Sequence, residues 1–419
     1  MAIKLANGME MYKQIKKCRS CEGEKLKQVL CLGDQELTGV FPKTTNEKIT
    51  KGPLNLVWCQ DCSLLQMQHS YSLDEMYGDN YGYRSGLNAS MVRHLQNKIR
   101  MLELLAKPSC DDLVIDIGSN DATSLKAYAG DHEKVGIDPT GLKFKKYYSK
   151  DITLIPDFFS EAVFSQKFPN RKAKIITSIA MFYDLERPLD FIKDIFSVLA
   201  DEGIWHFEQS YMPSMLKTNS YDTICHEHLE FYSFGVVKGM LERCGMRVVD
   251  VQMNAVNGGS FAITACKNNS KYESNQPLIS WLLKQEDAMG LKTPAPYLEF
   301  AKRVFQHRES LKDLIESLVA DGKKVIGYGA STKGNVLLQF CGLTSKHITC
   351  IAEVNEEKYG SFTPGTNIPI VSEKEARALN PDYFLVLPWH FKSGILEREQ
   401  DFISNGGKFI FPLPEIEIV

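Results

Sequence analysis

The sequence points to an α/β protein in three parts: a small N-terminal cysteine module and two helix-wrapped sheets. Three observations carry this. Four cysteines fall in two C-x-x-C pairs near the start, apolar strands alternate with amphipathic helices from about residue 85 to 270, and a second strand–loop–helix pattern begins near residue 323.

The 419 residues exceed one ordinary domain, and 43% hydrophobic with 24% charged residues suits ordinary cores. The pattern divides the chain into 1–80, 81–275 and 276–419. The first part holds the cysteine pairs and little regular periodicity. In the second, Asn88–Leu105 reads as an amphipathic helix, DLVIDIG as a buried strand, and Thr123–Tyr128 as the opening of another helix. KVGID and AKIITSI are further strands, and Pro188–Leu199 is a helix ahead of the strand GIWHFEQ. A polar, helix-prone stretch over 276–321 leads into KKVIGYG, NVLLQF, HITCIAEV, DYFLVLP and KFIFPLP.

The formal charge is only −3, and no basic stripe or tail stands out, so nucleic-acid binding has little support. MAIKLANGMEMYKQIKKC lacks the apolar run of a signal peptide, and no stretch of eighteen apolar residues occurs. The expectation is a soluble, cytoplasmic protein with no membrane partner. The sequence sets no oligomeric state, and a monomer is compatible with it.

Cys18 and Cys21 form one pair and Cys59 and Cys62 the other, with 37 residues between them. Four soft thiolates are the ligand set of tetrahedral structural zinc, and four protein ligands leave no open position for catalysis. A redox C-x-x-C needs one pair on a thioredoxin-like unit, and a DNA-reading finger needs a basic helix that is missing here.

The segment DLVIDIGSNDATSLKAYAG is a strand, a turn at Gly118 and a helix start, and Asp138 ends the next strand twenty residues later. That is the spacing at which an acid meets ribose hydroxyls in Rossmann-type sheets. After Gly118 the loop reads Ser119, Asn120, Asp121, Ala122, without the further glycines that a pyrophosphate requires. S-adenosylmethionine has a ribose and an adenine but no phosphate, so it suits this loop better than a dinucleotide. Asp116 and Asp121 can face its ammonium and sulfonium, with Asn120 beside them. Asp157 can accept from the adenine amino group while Phe158 stacks on the ring.

The densest chemistry is SYDTICHEHLEFYS, where Cys225, His226, Glu227 and His228 are consecutive. Two histidines flanking an acid supply a base and an orienting partner, and their spacing excludes the zinc-protease pattern. Read as a helix, the segment sets Cys225 and His228 on one face and turns His226 away. Farther on, VIGYGASTKGN places Gly329, Ser331, Thr332 and Lys333 in a glycine loop before a helix, a place where backbone N–H groups and one lysine can hold phosphates. Lys358 and the Trp389–His390 pair are candidates to complete a nucleotide site.

With these motifs in order, from the Cys knuckles through DNYGYRSG, IDIGSNDAT, FEQSYMP, YDTICHEH, RVVDVQMNAVNGGS, VIGYGAS, FTPGTNIPIV and LPWH, the chain resembles the S-adenosylmethionine-dependent C-methyltransferases of nucleotide-linked 4-keto-deoxysugars. The resemblance runs through nearly the whole chain. It implies a zinc module, a class I methyltransferase Rossmann-like domain, and a C-terminal Rossmann-like domain that grips the nucleotide of the sugar. It implies His228 as the base that takes the C-3 proton, Glu227 as its neighbour, and Tyr81 as an active-site tyrosine. Relatives carry a tyrosine where this chain has Cys225 and a histidine near Tyr183, so the floor of the site has changed. O-methylation, a nucleotide-sugar oxidoreductase or epimerase, and a zinc-ribbon interaction protein with an inactive methyltransferase domain are the competing readings. The missing glycines after Gly118 speak against the second, and the intact HEH segment, Asp138 and Asp157 against the third.

Overall fold

The computed structural model describes residues 3–4, 10–76 and 83–419. Leu26–Glu36, Lys51–Cys59 and Leu65–Met67 form an antiparallel meander in the N-terminal part, where the sequence showed little periodicity. Its fourth strand is Glu230–Phe231, which comes from the far side of the second part and pairs with Leu65 and Gln66.

The central sheet has seven strands. Leu113–Ile117, Glu133–Ile137, Ile152–Ile155, Ala173–Ile179 and Leu199–Ser210 run parallel, and most of their residues are buried because both faces are covered. Ser260–Lys267 inserts antiparallel between Leu199–Ser210 and Met246–Asn254. The chain moves outward from Leu113–Ile117 to Ile152–Ile155, then returns to Ala173–Ile179 on the other side. The crevice between Leu113–Ile117 and Ala173–Ile179 is therefore a topological switch point, where ligands bind at the carboxyl ends of the strands.

The helix expected over 88–105 is Ala89–Ala106, with Asn88 as its N-cap accepting from Ser90 and Met91 N–H. Pro188–Val198 matches its expected helix. The helix expected over 123–128 is reduced to one 3₁₀ turn, Leu125–Ala127. Asn120 and Ala122 ahead of it hold positive φ, and the Thr123 hydroxyl bonds the Asp121 carboxylate, which competes with helical backbone pairing.

The long polar stretch forms helices Gln276–Ala288 and Ala295–Ala320. The C-terminal sheet has five parallel strands, ordered Ile370–Ser372, Ile351–Glu353, Val325–Tyr328, Tyr383–Val386 and Lys408–Phe411, with Glu417–Ile418 antiparallel at the edge. One apolar core runs from the N-terminal meander (Leu56, Trp58) through Tyr221 and Leu229 to Tyr297, Val304 and Leu337. No helix among the described residues is long and apolar enough to cross a membrane.

Glu286 ties this packing to the central sheet. Its carboxylate accepts from Tyr211 Oη at 2.7 Å and from the N–H groups of Phe234 and Gly235 at 2.6 and 2.8 Å, closing the start of the helix Phe234–Arg243. Glu286→Leu should cost about 1.5–3 kcal/mol in urea unfolding, the range for hydrogen bonds to a charged group. An unchanged transition would contradict this role.

Candidate active site

A cavity of about 430 Å³ opens at the switch point. Its walls come from the Gly118 turn, the ends of the Glu133–Ile137 and Ala173–Ile179 strands, Cys225, Glu227 and His228, and the start of the helix Thr332–Cys341.

At one end stands the Gly118 loop. Gly118 holds φ +72°, which its missing Cβ allows, and its N–H bonds Ile137 O. Asp138 is buried, accepting from Asn120 N–H at 2.7 Å and from Thr140 N–H and Oγ1 at 2.7 and 2.6 Å. Asp116 lines the same end. Burial pushes its carboxyl up to about 7, and it accepts from Thr177 Oγ1 at 2.6 Å. Phe158 lies on the cavity wall, while Asp157 sits exposed beside it, accepting from Phe158 N–H.

Asp121 is outside this cavity. It accepts from Gly86 N–H and pairs with Arg84, while Asn120 accepts from Ser85 N–H and donates to Tyr83 O. The two side chains thus hold the segment over 83–86 against the loop, and Tyr83 and Ser85 close part of the cavity.

At the other end, the expected helix around His228 is absent. Tyr221–Thr223 is a 3₁₀ turn, and the next N–H groups, from Ile224, Cys225 and His228, bond carbonyls two or three residues back. The segment cannot continue as a helix because it must reach the N-terminal sheet. Leu229 N–H donates to Tyr183 O at 2.8 Å, and Leu229 O accepts from Met67 N–H at 2.8 Å. This path of successive turns still sends Cys225, Glu227 and His228 to the cavity and buries His226 against Tyr71, with ring centroids 4.6 Å apart.

His228 Nδ1 lies 2.8 Å from Thr223 O. A carbonyl only accepts, so Nδ1 carries the proton and Nε2 keeps a free lone pair. Burial, with the charge of Lys333 adding to it, lowers the imidazole to about 4. The ring packs on Tyr183, centroids 4.3 Å apart. Burial raises Cys225, with Glu227 adding to the effect, so its thiol is a poor nucleophile. Glu227 is also raised by burial, and a Cβ at Gly39 would collide with its Oε1. Tyr81 lies outside the described residues.

In the C-terminal loop, Thr332 and Lys333 line the cavity and Gly329 and Ser331 do not. The expected phosphate cradle is narrower than the motif implied. Gly329 N–H bonds Ala352 O, Ala330 N–H bonds the Glu353 carboxylate at 2.7 Å, and Gly334 N–H bonds Ser331 Oγ. Lys358 braces this loop through Ala330 O, and Trp389 Nε1 donates to buried Asp222 at 2.7 Å. Neither side chain lines the cavity, nor does His390.

The sequence reading passed over Glu208 and Gln209, which end the Leu199–Ser210 strand inside the cavity. Glu208 meets Lys98, His94 and Asn254, each at 2.7 Å. Burial opposes its charge, yet the His94 hydrogen bond and the Lys98 charge hold it well below the usual carboxylate range. The Gln209 carboxamide is buried with no hydrogen-bond partner among the described residues. An acid and an amide at the carboxyl end of a parallel strand were the available signal.

The four cysteines form a separate centre. Their Sγ atoms lie within 4.8 Å of one another, with Cys18–Cys62 at 3.6 Å and Cys21–Cys59 at 3.5 Å. Tetrahedral ligation with Zn–S near 2.3 Å places sulfurs about 3.8 Å apart, so the set fits such an ion.

Comparison with known proteins agrees with this arrangement. Residues 18–77 match the family model described as "Putative zinc binding domain", 91–251 a methyltransferase domain, and 255–414 the C-methyltransferase C-terminal domain. The C-methyltransferase NovU of Streptomyces niveus is 30% identical over 98% of this chain and 98% of its own. Among solved structures, a complex of the plantazolicin methyltransferase BpumL with SAH is 13% identical over 44% of this chain and 88% of its own, with a TM-score of 0.35. An S-adenosylmethionine-dependent methyltransferase from Clostridium acetobutylicum is 10% identical over 42% and 92%, with a TM-score of 0.33. Likenesses that weak carry no weight here.

A switch-point cavity in a sheet of this order, with the matched domains, defines an S-adenosylmethionine-dependent methyltransferase. The chain belongs to the C-methyltransferase family that includes NovU.

Nuclear magnetic resonance of the imidazoles tests the tautomer. His228 should carry its proton on Nδ1 at pH 7 and titrate near pH 4, so its free base persists through the neutral range and is lost only in acid. A midpoint near 6.5, the ordinary value, would contradict the buried geometry.

Proposed function

We propose that the enzyme methylates carbon in a nucleotide-linked keto-deoxysugar, at the position next to the ketone, with His228 as base. The observation that carries this reading is the His228 geometry: a neutral imidazole with Nδ1 tied to Thr223 and Nε2 free, on a cavity shared with the Gly118 loop. The full-length similarity to a C-methyltransferase supports carbon as the acceptor. A second helix-wrapped sheet whose helix start opens on the same cavity supports a nucleotide-bearing substrate.

Bound S-adenosylmethionine would supply an electrophilic methyl group on a sulfonium. Gly118 would allow its close approach, and Asp138, Asp116 and Phe158 would be the residues that hold its ribose, its charged end and its adenine. His228 Nε2 takes the proton on carbon beside the ketone, and Tyr183 and Thr223 keep the ring in place. Glu227 and Cys225 shape the floor against the sugar, and the enolate oxygen requires a positioned donor. Cys18, Cys21, Cys59 and Cys62 would hold zinc as a structural ion that fixes the meander's hairpin.

His228→Asn should keep S-adenosylhomocysteine binding and cut turnover of a 4-keto-deoxysugar nucleotide by about 10² to 10⁴, the range for a lost general base. His226→Asn, off the cavity, should cost far less. Full activity in the His228 variant would remove it as the base, and efficient methylation of a non-keto sugar would favour oxygen as the acceptor. By calorimetry, Asp138→Ala should weaken S-adenosylhomocysteine by about 1.5–3 kcal/mol, as expected for lost charged hydrogen bonds. Equal affinity would refute that role. Elemental analysis should find about one zinc per chain, and folded protein without zinc would refute the metal assignment.

A further inference from the structure

The charge around the cavity is lopsided. Among the described lining residues, the carboxylates are Asp116, Asp138, Asp184, Glu186, Glu208 and Glu227, and the sole lysine or arginine is Lys333. It is the second residue of the helix Thr332–Cys341, so the positive end of that helix adds to its charge. Its Nζ donates to the backbone carbonyl of Asn257 at 2.9 Å, which uses one of three protons and fixes the ammonium without neutralising it. Among the described residues no carboxylate comes within 4.0 Å of it. Asp222, which feels its charge, already accepts from Trp389 Nε1. Burial lowers the His228 and His390 imidazoles, and the charge of Lys333 adds to the effect at both.

We propose that Lys333 is the oxyanion donor of the reaction, its ammonium holding the ketone oxygen while His228 removes the proton from the neighbouring carbon. This rests on the reading of His228 as base. The proton goes to His228 Nε2, the C–H electron pair becomes the ring C=C bond, and the carbonyl π pair moves onto the oxygen that Lys333 binds. When that carbon takes the methyl group the carbonyl re-forms, and the sulfonium leaves as a neutral thioether. A single fixed cation beside the base suits one developing oxyanion. It suits a diphosphate less well, because the loop amides at Gly329, Ala330 and Gly334 are occupied and a carboxylate, Glu353, stands behind them.

The test uses full-length protein, thymidine-diphosphate-4-keto-6-deoxyglucose as the probe, and heavy water without methyl donor. In Lys333→Met, exchange of the proton beside the ketone at saturating sugar should fall about 10²–10³-fold, the usual cost of one oxyanion donor. Free thymidine diphosphate should bind within about threefold of wild type. Lys333→Arg, which keeps the charge, should recover at least about tenfold of the loss and serves equally if the Met variant is unstable. Wild-type exchange in Lys333→Met overturns the proposal. So does a roughly tenfold loss of diphosphate affinity with saturating exchange intact, which would make Lys333 a phosphate ligand. His228→Asn run in parallel separates the two assignments: unimpaired exchange there, or none in wild type, removes the base reading and this proposal with it.

Discussion

The backbone of Leu229 is the joint on which the active site depends. Its N–H is held by Tyr183, in the 3₁₀ turn that follows the Ala173–Ile179 strand, and its carbonyl by Met67 of the N-terminal meander. The residues just before it are therefore held in turns between two anchors, with the side chains of Cys225, Glu227 and His228 on the switch-point cavity. The joint is reinforced by Glu230–Phe231, which completes the meander as its fourth strand. The meander edge is set in turn by the cysteine hairpin, where Cys59 N–H bonds Leu64 O just before Leu65–Met67 begins. A thiolate cluster remote from the chemistry thus has a direct covalent and hydrogen-bonded route to the position of His228.

Charge is arranged with comparable economy. Buried acids line the cavity, each stabilised differently: Asp138 by loop N–H groups, Glu208 by Lys98 and His94, Asp116 by a threonine while burial drives it toward neutrality. At the far end, burial keeps His228 uncharged, which is the form a base must have. Low local dielectric strengthens the fixed interactions at both ends, and at His228 it also discourages protonation.

Much of this was legible in the sequence where the signal is local. The DLVIDIG strand, the Gly118 turn and the Asp138 spacing follow from patterns within about thirty residues, and the thiolate set follows from ligand chemistry. The path of 224–229 was not legible, because it is decided by Met67 and Tyr183, which are distant in sequence. The helix expected at 123–128 failed for a similar reason, since Asn120 and Asp121 are committed to the segment over 83–86. Gly329 and Ser331 looked like a phosphate loop, but Ala352 and Glu353 of the next strand take two of the amides. Glu208 and Gln209 lie in the FEQSYMP segment, but that segment alone assigned them no role. Their importance comes from standing at the mouth of a strand whose neighbours the sequence does not name.

The central claim is that the methyl group is delivered to carbon beside a ketone. It is tested most directly by nuclear magnetic resonance of the product made from a methyl-¹³C donor and a ring-¹³C keto-sugar nucleotide. A one-bond carbon–carbon coupling between the new methyl and the ring carbon next to the carbonyl is the predicted result. A methyl carbon coupled to the ring only through an intervening oxygen would contradict the account.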